Sequence, residues 1–219
     1  MVETGTLWDQ KKAQTREDLV RAALALFRSQ GFDKTTVEEI AAAARTSPRT
    51  FFRYFGTKED LVFHDLGDHL AFLRDQLEEA LRERSIWEGV TEAMLAVNTH
   101  FLAAGTDLAI ERFDAWLREP PLRQRFAALS LEWEDAIADA VAASRRTTVA
   151  DDPYARMVGI VAVAGFRSAM EIRRPSSFIA DLRSHLDAIG DGLRHEPPTP
   201  AKRRNGKGPA STTSAGHSR

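Results

Sequence analysis

The chain has 219 residues, no cysteine and a formal net charge of −2. Disulfides, thiolate nucleophiles and cysteine-based zinc sites are therefore excluded, and the length suits one sizeable core or a small domain joined to a larger one. The amino terminus MVETGTLWDQKK lacks a signal-type apolar run, and the longest apolar stretch, Met157 to Phe166, is too short to span a bilayer. A cytoplasmic protein with no membrane partner is expected. Charge is uneven along the chain: net +1 over residues 1–60, −7 over 61–195 and +4 over 196–219. A polyanion would be met at the ends rather than in the middle.

Residues 1–14 show no periodicity and are expected to form a flexible arm. From Thr15, Leu19, Ala22, Ala23, Leu26 and Phe27 recur at helical spacing until Gly31. Thr36 with Glu39 reads as a capping box for a short second helix that ends by Arg45. Ser47 and Pro48 open a third, as N-cap and first helical residue, and Gly56 closes it. Two short helices joined by a tight turn make a helix-turn-helix unit, predicted over residues 15–60. Thr57 caps a long fourth helix from Lys58 to about Arg84. A fifth is predicted from Ser85 to about Ala104, a sixth from Thr106 or Asp107 to Pro120, and a seventh from Pro121 to about Ser144. An eighth runs from Asp152 to about Arg173, and a ninth from Pro175 to about His195. No segment alternates as a strand would, so the fold class is all-α with about nine helices. Residues 61–195 form a helical second domain. The tail, residues 196–219, is rich in Pro, Gly, Ser and basic residues and is expected to be disordered.

The stretch SPRTFFRYFGTKEDL carries the chemistry. On a helix at 100° per residue, Phe51 and Phe55 share a face that can pack on the first two helices. Arg49, Phe52 and Arg53 lie on another face, with Thr50 and Tyr54 near its edges. That second face offers what a DNA major groove reads: guanidinium for guanine, an apolar ring for a thymine methyl, and cations for phosphates.

The run TTVEEIAAAARTSPRTFFRYFGTKEDLV closely resembles the DNA-binding domain of the TetR family of bacterial transcriptional regulators, and length and helix plan extend the likeness to about residue 195. The resemblance implies a three-helix head, a ligand-binding helical core, and a homodimer formed by the last two helices on a palindromic double-stranded operator. It makes Arg49, Thr50 and Phe52 groove-facing, and Arg53, Tyr54 and Lys58 phosphate contacts. Ser47 and Pro48 open the recognition helix at the DNA, and Thr36 offers a donor at a helix N-terminus. Arg45 stands where the turn often has Gly, so the turn must accept a β-carbon or be reshaped. Arg45 is a further phosphate candidate. No cofactor is implied, and the ligand is expected to be small and lipophilic.

In the middle of the chain, Trp87, Met94, Phe101, Phe113, Trp116, Phe126 and Trp133 fit either an apolar ligand pocket or plain core packing. Asn98, His100 and Arg112 interrupt the apolar faces and could orient a ligand. Val158, Val161, Gly165 and Ala169, with Phe178, Leu182, Leu186 and Ile189, are expected at the dimer interface, small residues permitting close helix approach. His64/Asp68 and Asp65/His69 are spaced to share a cation, but they read as the polar face of a long helix and no metal is expected. No nucleophile elbow, phosphate loop or metal-binding repeat points to an enzyme. A DNA-binding architectural protein without ligand control is the remaining alternative, distinguished by a solid core.

Overall fold

Ten α-helices make up the regular structure of the described residues, which are 7–103, 106–172 and 177–192 of a computed structural model. The head comprises α1 (Leu7–Gln30), α2 (Val37–Ala43), α3 (Pro48–Tyr54) and α4 (Lys58–Val62). Behind it lie α5 (Leu66–Glu83), α6 (Ile86–Ala103), α7 (Thr106–Arg118), α8 (Pro120–Ser144), α9 (Pro153–Glu171) and α10 (Phe178–Gly190).

The starts and stops follow local chemistry. Thr36 Oγ1 accepts from the Glu39 N–H at 3.2 Å, and the Glu39 carboxylate accepts from the Thr36 N–H at 2.9 Å, a complete capping box. Ser47 Oγ accepts from the Thr50 N–H with Pro48 in the first turn, and Thr57 caps α4 through the Asp60 N–H. Ser85 and Glu88 bond to each other ahead of α6, and Asp152 caps α9 at Ala155. Gly31 closes α1 at φ 86°, its N–H on the Phe27 carbonyl at 3.0 Å.

Three expectations are corrected. First, α1 begins at Leu7, so residues 7–14 are helix rather than arm. Local side-chain bonds support those turns: Thr15 Oγ1 donates to the Lys11 carbonyl, Gln14 donates to Asp18, and Lys12 Nζ lies 3.4 Å from the Trp8 ring centroid. Second, the long fourth helix is two helices, which makes ten rather than nine. The chain breaks at Phe63–Asp65, where the Phe63 N–H turns back to the Asp60 carbonyl and the Leu66 N–H to that of Phe63. Arg112 of α7 holds the break. Its Nε donates to the Val62 carbonyl at 3.0 Å, and its two terminal nitrogens grip the Asp65 carboxylate, one of them at 2.7 Å. The apolar face Leu61, Val62, Leu66, Leu70 keeps helical spacing straight across the break, so its cause lies in a distant side chain rather than in the local pattern.

Third, most residues assigned to the dimer face are inside the protomer. Val158, Gly165, Ala169, Phe178, Leu182 and Leu186 are buried in the single chain, where α9 packs between α8 and α10. The small residues do permit close approach, but to neighbours in the same chain. A Cβ on Gly159 would stand 2.3 Å from the Glu134 carbonyl oxygen of α8, and one on Gly165 would meet Leu186 and Ile189 at about the contact limit. Val161 and Ile189 are only half-buried. On the outer side of α9, Met157 and Ile160 are 53% and 42% exposed, next to Tyr154. The expected tail, residues 196–219, residues 1–6 of the expected arm, and the start of the predicted ninth helix at Pro175 lie outside the described residues. No single described helix is long and apolar enough to cross a membrane.

Candidate nucleic-acid interface and ligand cavity

The turn between α2 and α3 is closed by two backbone bonds, Arg45 N–H to the Ala42 carbonyl (3.0 Å) and Thr46 N–H to the Ala41 carbonyl (2.8 Å). This is a Schellman motif, and its left-handed position is held by Arg45 at φ 54°. The turn therefore keeps its form despite the β-carbon, at a local cost of about 1–2 kcal/mol. Arg45 is exposed beside the recognition helix.

On α3, Phe51 is fully buried and Phe55 nearly so, their rings 5.5 Å apart. Phe52 is 56% exposed, and Arg49 and Arg53 are exposed beside it. The Phe52 ring meets the core only edge-on, at 5.4 Å from Phe51, and leaves most of its surface in water. Thr50 is half-buried and shares a hydrogen bond with Ser47 Oγ at 3.0 Å, and Pro48 is half-buried in the first turn. Tyr54 Oη accepts from Arg53 at 3.1 Å, with the guanidinium 4.9 Å from the ring centroid. Thr36 is exposed at the start of α2. Its partner Glu39 is held below the ordinary carboxylate range by the backbone and hydroxyl donors of Thr36.

Lys58 is placed otherwise than expected. Its ammonium donates to the carbonyls of Phe32 (2.6 Å) and Thr35 (3.0 Å) and lies over the Phe32 ring. It ties α4 to the loop before α2, so its first task is within the head. Beside Arg53 and Tyr54, the early turns of α1 bring Trp8, Lys11, Lys12 and Arg16 around an open cleft of about 480 Å³ with no acidic residue in its lining.

The second feature is a cavity of about 30 Å³ inside the helical bundle. It is lined by Asn98, Phe101, Phe113, Trp116, Phe126 and Trp133 from the candidates above, joined by Leu66, His69, Val97, Leu129, Ser130, Val163 and Phe166. Sequence reasoning missed that second group. Phe166 gave the one usable signal, a large ring in a helix otherwise rich in small residues. Four candidates lie elsewhere. Trp87 donates its indole N–H to the Leu186 carbonyl at 3.0 Å, joining α6 to α10. Met94 is buried in the core away from the cavity. Arg112 is behind the wall, spent on Val62 and Asp65 with its guanidinium 5.7 Å from the Trp116 centroid. His100 is exposed and stacks on Phe72.

Electrostatics concentrate at the α4–α5 break. Burial alone would push the Asp65 carboxyl up, but the hydrogen bonds and charge of Arg112 more than offset it and hold Asp65 below its ordinary value. Burial lowers both His64 and His69 against the opposing pull of Asp65, so both favour the neutral form. Of the sequence's His/Asp pairs, Asp65 is held by Arg112 and His64 Nδ1 lies 3.0 Å from the Leu61 carbonyl, so these two members are engaged at the break.

An arginine-bearing helix exposed on a small helical head, carried by a helical bundle with an aromatic cavity, defines a helix-turn-helix DNA-binding regulator. Residues 19–64 match the model of the bacterial regulatory proteins of the tetR family, and residues 84–194 match the MftR C-terminal domain. The chain is 32% identical over 201 residues to the transcriptional regulator TcmR of Streptomyces glaucescens, covering 87% of each. It is 30% identical to the putative mycofactocin biosynthesis regulator MftR of Mycobacterium tuberculosis, over 60% of this chain and 66% of that one. Among solved structures, Thermus thermophilus FadR, a repressor in complex with lauroyl-CoA, superimposes with a TM-score of 0.53 at 28% identity, over 84% of this chain and 98% of that one. SmeT in its triclosan complex shares the fold, with a TM-score of 0.58 at 19% identity over 84% and 96%. The chain belongs to the TetR family of bacterial transcriptional regulators.

Proposed function

We propose that this protein is a homodimeric cytoplasmic repressor that holds a palindromic operator and releases it when a small lipophilic ligand enters the bundle. The observation that carries the DNA half is the division of α3, with Phe51 and Phe55 buried and Phe52, Arg49 and Arg53 in solvent. Arg49 would read a guanine edge, Phe52 a thymine methyl, and Arg45, Arg53 and Tyr54 adjoining phosphates. Two heads would enter successive major grooves about 34 Å apart. The exposed apolar side of α9, with Tyr154, Met157 and Ile160, is the surface we assign to the second protomer.

The ligand half rests on the geometry between cavity and head. Leu66 and His69 form cavity wall directly after the break, and Val62 ends α4 directly before it. Arg112 clamps both sides of the break from α7, whose Glu111 pairs with Arg28 of α1 at 3.1 Å. A guest that enlarges the cavity would move α5 or α7, and the clamp would transmit that shift to α4 and so to head spacing. Coupling requires the ligand to prefer the DNA-incompetent arrangement. FadR, a repressor solved with lauroyl-CoA, supports a ligand-controlled reading.

Selection of fragmented source-genome DNA with the purified protein tests this, beside Arg49→Ala. Wild type should enrich a short palindrome that the variant does not, and extract of the source cells should release it. Failure to enrich any site down to low salt, with or without extract, would overturn the DNA-reading assignment. Enrichment without release would overturn the ligand half.

A further inference from the structure

We infer that the first turns of α1 and the end of α3 form a cleft that grips the sugar–phosphate backbone of the operator outside the base pairs α3 reads, lengthening the contact without adding sequence information. The inference rests on the DNA-reading assignment of α3 and extends it to residues of α1 that precede the tetR match, which begins at residue 19.

Three observations carry it. First, one stripe of α1 changes chemistry along its length. Trp8, Lys11, Lys12 and Arg16 share a face at helical spacing, and Leu19 continues that face into the head core, where it is fully buried. Two turns earlier the stripe covers no core: Trp8 is 63% exposed, and Lys11 and Arg16 are exposed too.

Second, the stripe is positive and uncompensated. Arg53 and Tyr54 close the other side of the open cleft of about 480 Å³, and no carboxylate lines it. The nearby acids of α1 lie on its other faces, where Glu17 pairs with Arg21 at 2.5 Å and Asp18 accepts from Gln14 at 2.9 Å. Among the described residues no ion pair neutralises Lys11, Lys12, Arg16 or Arg53. Like charges around one cleft repel, and a polyanion seated in it relieves that cost. The cations are also held in place by rings. Lys12 Nζ lies 3.4 Å from the Trp8 centroid, and the guanidinium groups of Arg53 and Arg16 lie 4.9 Å and 6.0 Å from that of Tyr54.

Third, position selects the occupant. Arg53 stands one turn after Arg49 on the exposed face of α3 and is also part of the cleft wall, so the cleft continues the groove-facing surface directly. A duplex seated on α3 runs its backbone past this end. Two of the three α1 cations are lysines, point charges that suit phosphate, and phosphate contacts fix register without reading bases.

The test compares three duplexes with the full-length protein. One is the palindrome enriched by genome selection, one adds about six base pairs of native flank on each side, roughly half a turn of duplex, and one carries scrambled flanks. Anisotropy titrations over a salt series read affinity and its salt slope. Wild type should gain about tenfold from either flank, native or scrambled, and the triple variant Lys11→Ala/Lys12→Ala/Arg16→Ala should gain nothing. On flanked DNA the variant's slope of log affinity against log salt should fall by about two to three per head, at ~0.9 per lost phosphate contact. Trp8→Ala should lose part of the gain and Trp8→Phe should keep it, because the ring positions Lys12. Melting curves of these variants should match wild type. Equal wild-type affinity for bare and flanked palindromes would overturn the inference. So would a triple variant that loses as much on the bare palindrome as on the flanked one. A gain from native flanks alone would overturn the backbone assignment in favour of base reading. Failure of wild type to bind any duplex at low salt would overturn the α3 reading, and this inference with it.

Discussion

The head and the bundle of this protein are both helical, yet their side chains follow different rules. In the head, α2, α3 and α4 each start on the capping hydroxyl of the residue just before them, and roles alternate within one short helix: Phe51 inside, Phe52 outside. In the bundle, roles are assigned by residues far along the chain. Arg112 breaks the fourth predicted helix from 50 residues away, and Trp87 bonds to a carbonyl 99 residues away. Where neighbours in sequence are neighbours in space, function can be read residue by residue. Where they are not, an aromatic side chain has no intrinsic assignment to core, cavity or interface.

The sharpest way to probe this contrast is inside α3. Phe51→Ala should destabilise the fold by about 3–5 kcal/mol, the usual cost of emptying a buried ring site, lowering Tm by roughly 6–20 °C for a chain of this length. Phe52→Ala should leave Tm within about 1–2 °C, since exposed changes are worth about 0.5 kcal/mol, while weakening operator binding. Thermal melts and anisotropy titrations of the two variants separate core from groove. A large loss of stability in Phe52→Ala would break the division of the helix.

Next is the clamp at the α4–α5 break. Arg112→Ala strands a largely buried carboxylate and should cost about 3 kcal/mol at pH 7, toward the low end for a broken buried pair because Asp65 keeps some solvent. The pH dependence gives a sign test. With Arg112 present, the Asp65 pKa is depressed, so its contribution is complete above the ordinary aspartate range and is lost as pH falls through that range to the lowered value. Without Arg112, burial dominates and pushes the carboxyl up, so protonation should recover part of the deficit. Urea unfolding at pH 7 and pH 4 should show the gap between variant and wild type narrowing on the acid side. His64 and His69, also lowered, add a loss as pH falls below the ordinary histidine value, and because the charge of Arg112 contributes to that lowering the loss is smaller in the variant, which narrows the gap in the same direction. A gap that widens in acid would mean that Asp65 is not held by Arg112 as the geometry implies.

Operator affinity comes next. Arg49→Ala should cost about 1–3 kcal/mol for each head that engages a guanine, with no change in Tm. Binding that weakens equally on all DNA sequences would demote Arg49 to a phosphate contact. The smallest effect is expected at the turn. Arg45→Gly relieves a left-handed residue bearing a β-carbon and should raise stability by about 0.5–1 kcal/mol. It should also flatten the salt dependence of DNA binding by roughly one counterion per head if Arg45 meets a phosphate.

The head was largely legible because its determinants are short-range. The Thr36–Glu39 box, the Ser47-Pro48 opening and the i, i+4 pair Phe51/Phe55 state their geometry within five residues. Lys58 was the exception there, because its acceptors are the carbonyls of Phe32 and Thr35, and backbone acceptors leave no mark in a sequence. The cavity was half legible. Phe101, Phe113, Trp116, Phe126 and Trp133 stood out by size, but His69 and Ser130 entered only through the packing of α5 and α8 around them.

By itself the sequence determined the helices of the described residues, the family, and the face of α3 that leaves the core, because periodicity and capping act over single turns. Tertiary structure alone decided that α4 and α5 part at Phe63, that Gly159 and Gly165 serve contacts within the protomer, and that Met157 and Ile160 stay exposed on α9. The reason is physical: an apolar stripe specifies that a helix face must be covered, but not by what. Only the assembled bundle, where a glycine admits a neighbouring backbone or an arginine captures a carbonyl, settles which surface covers it.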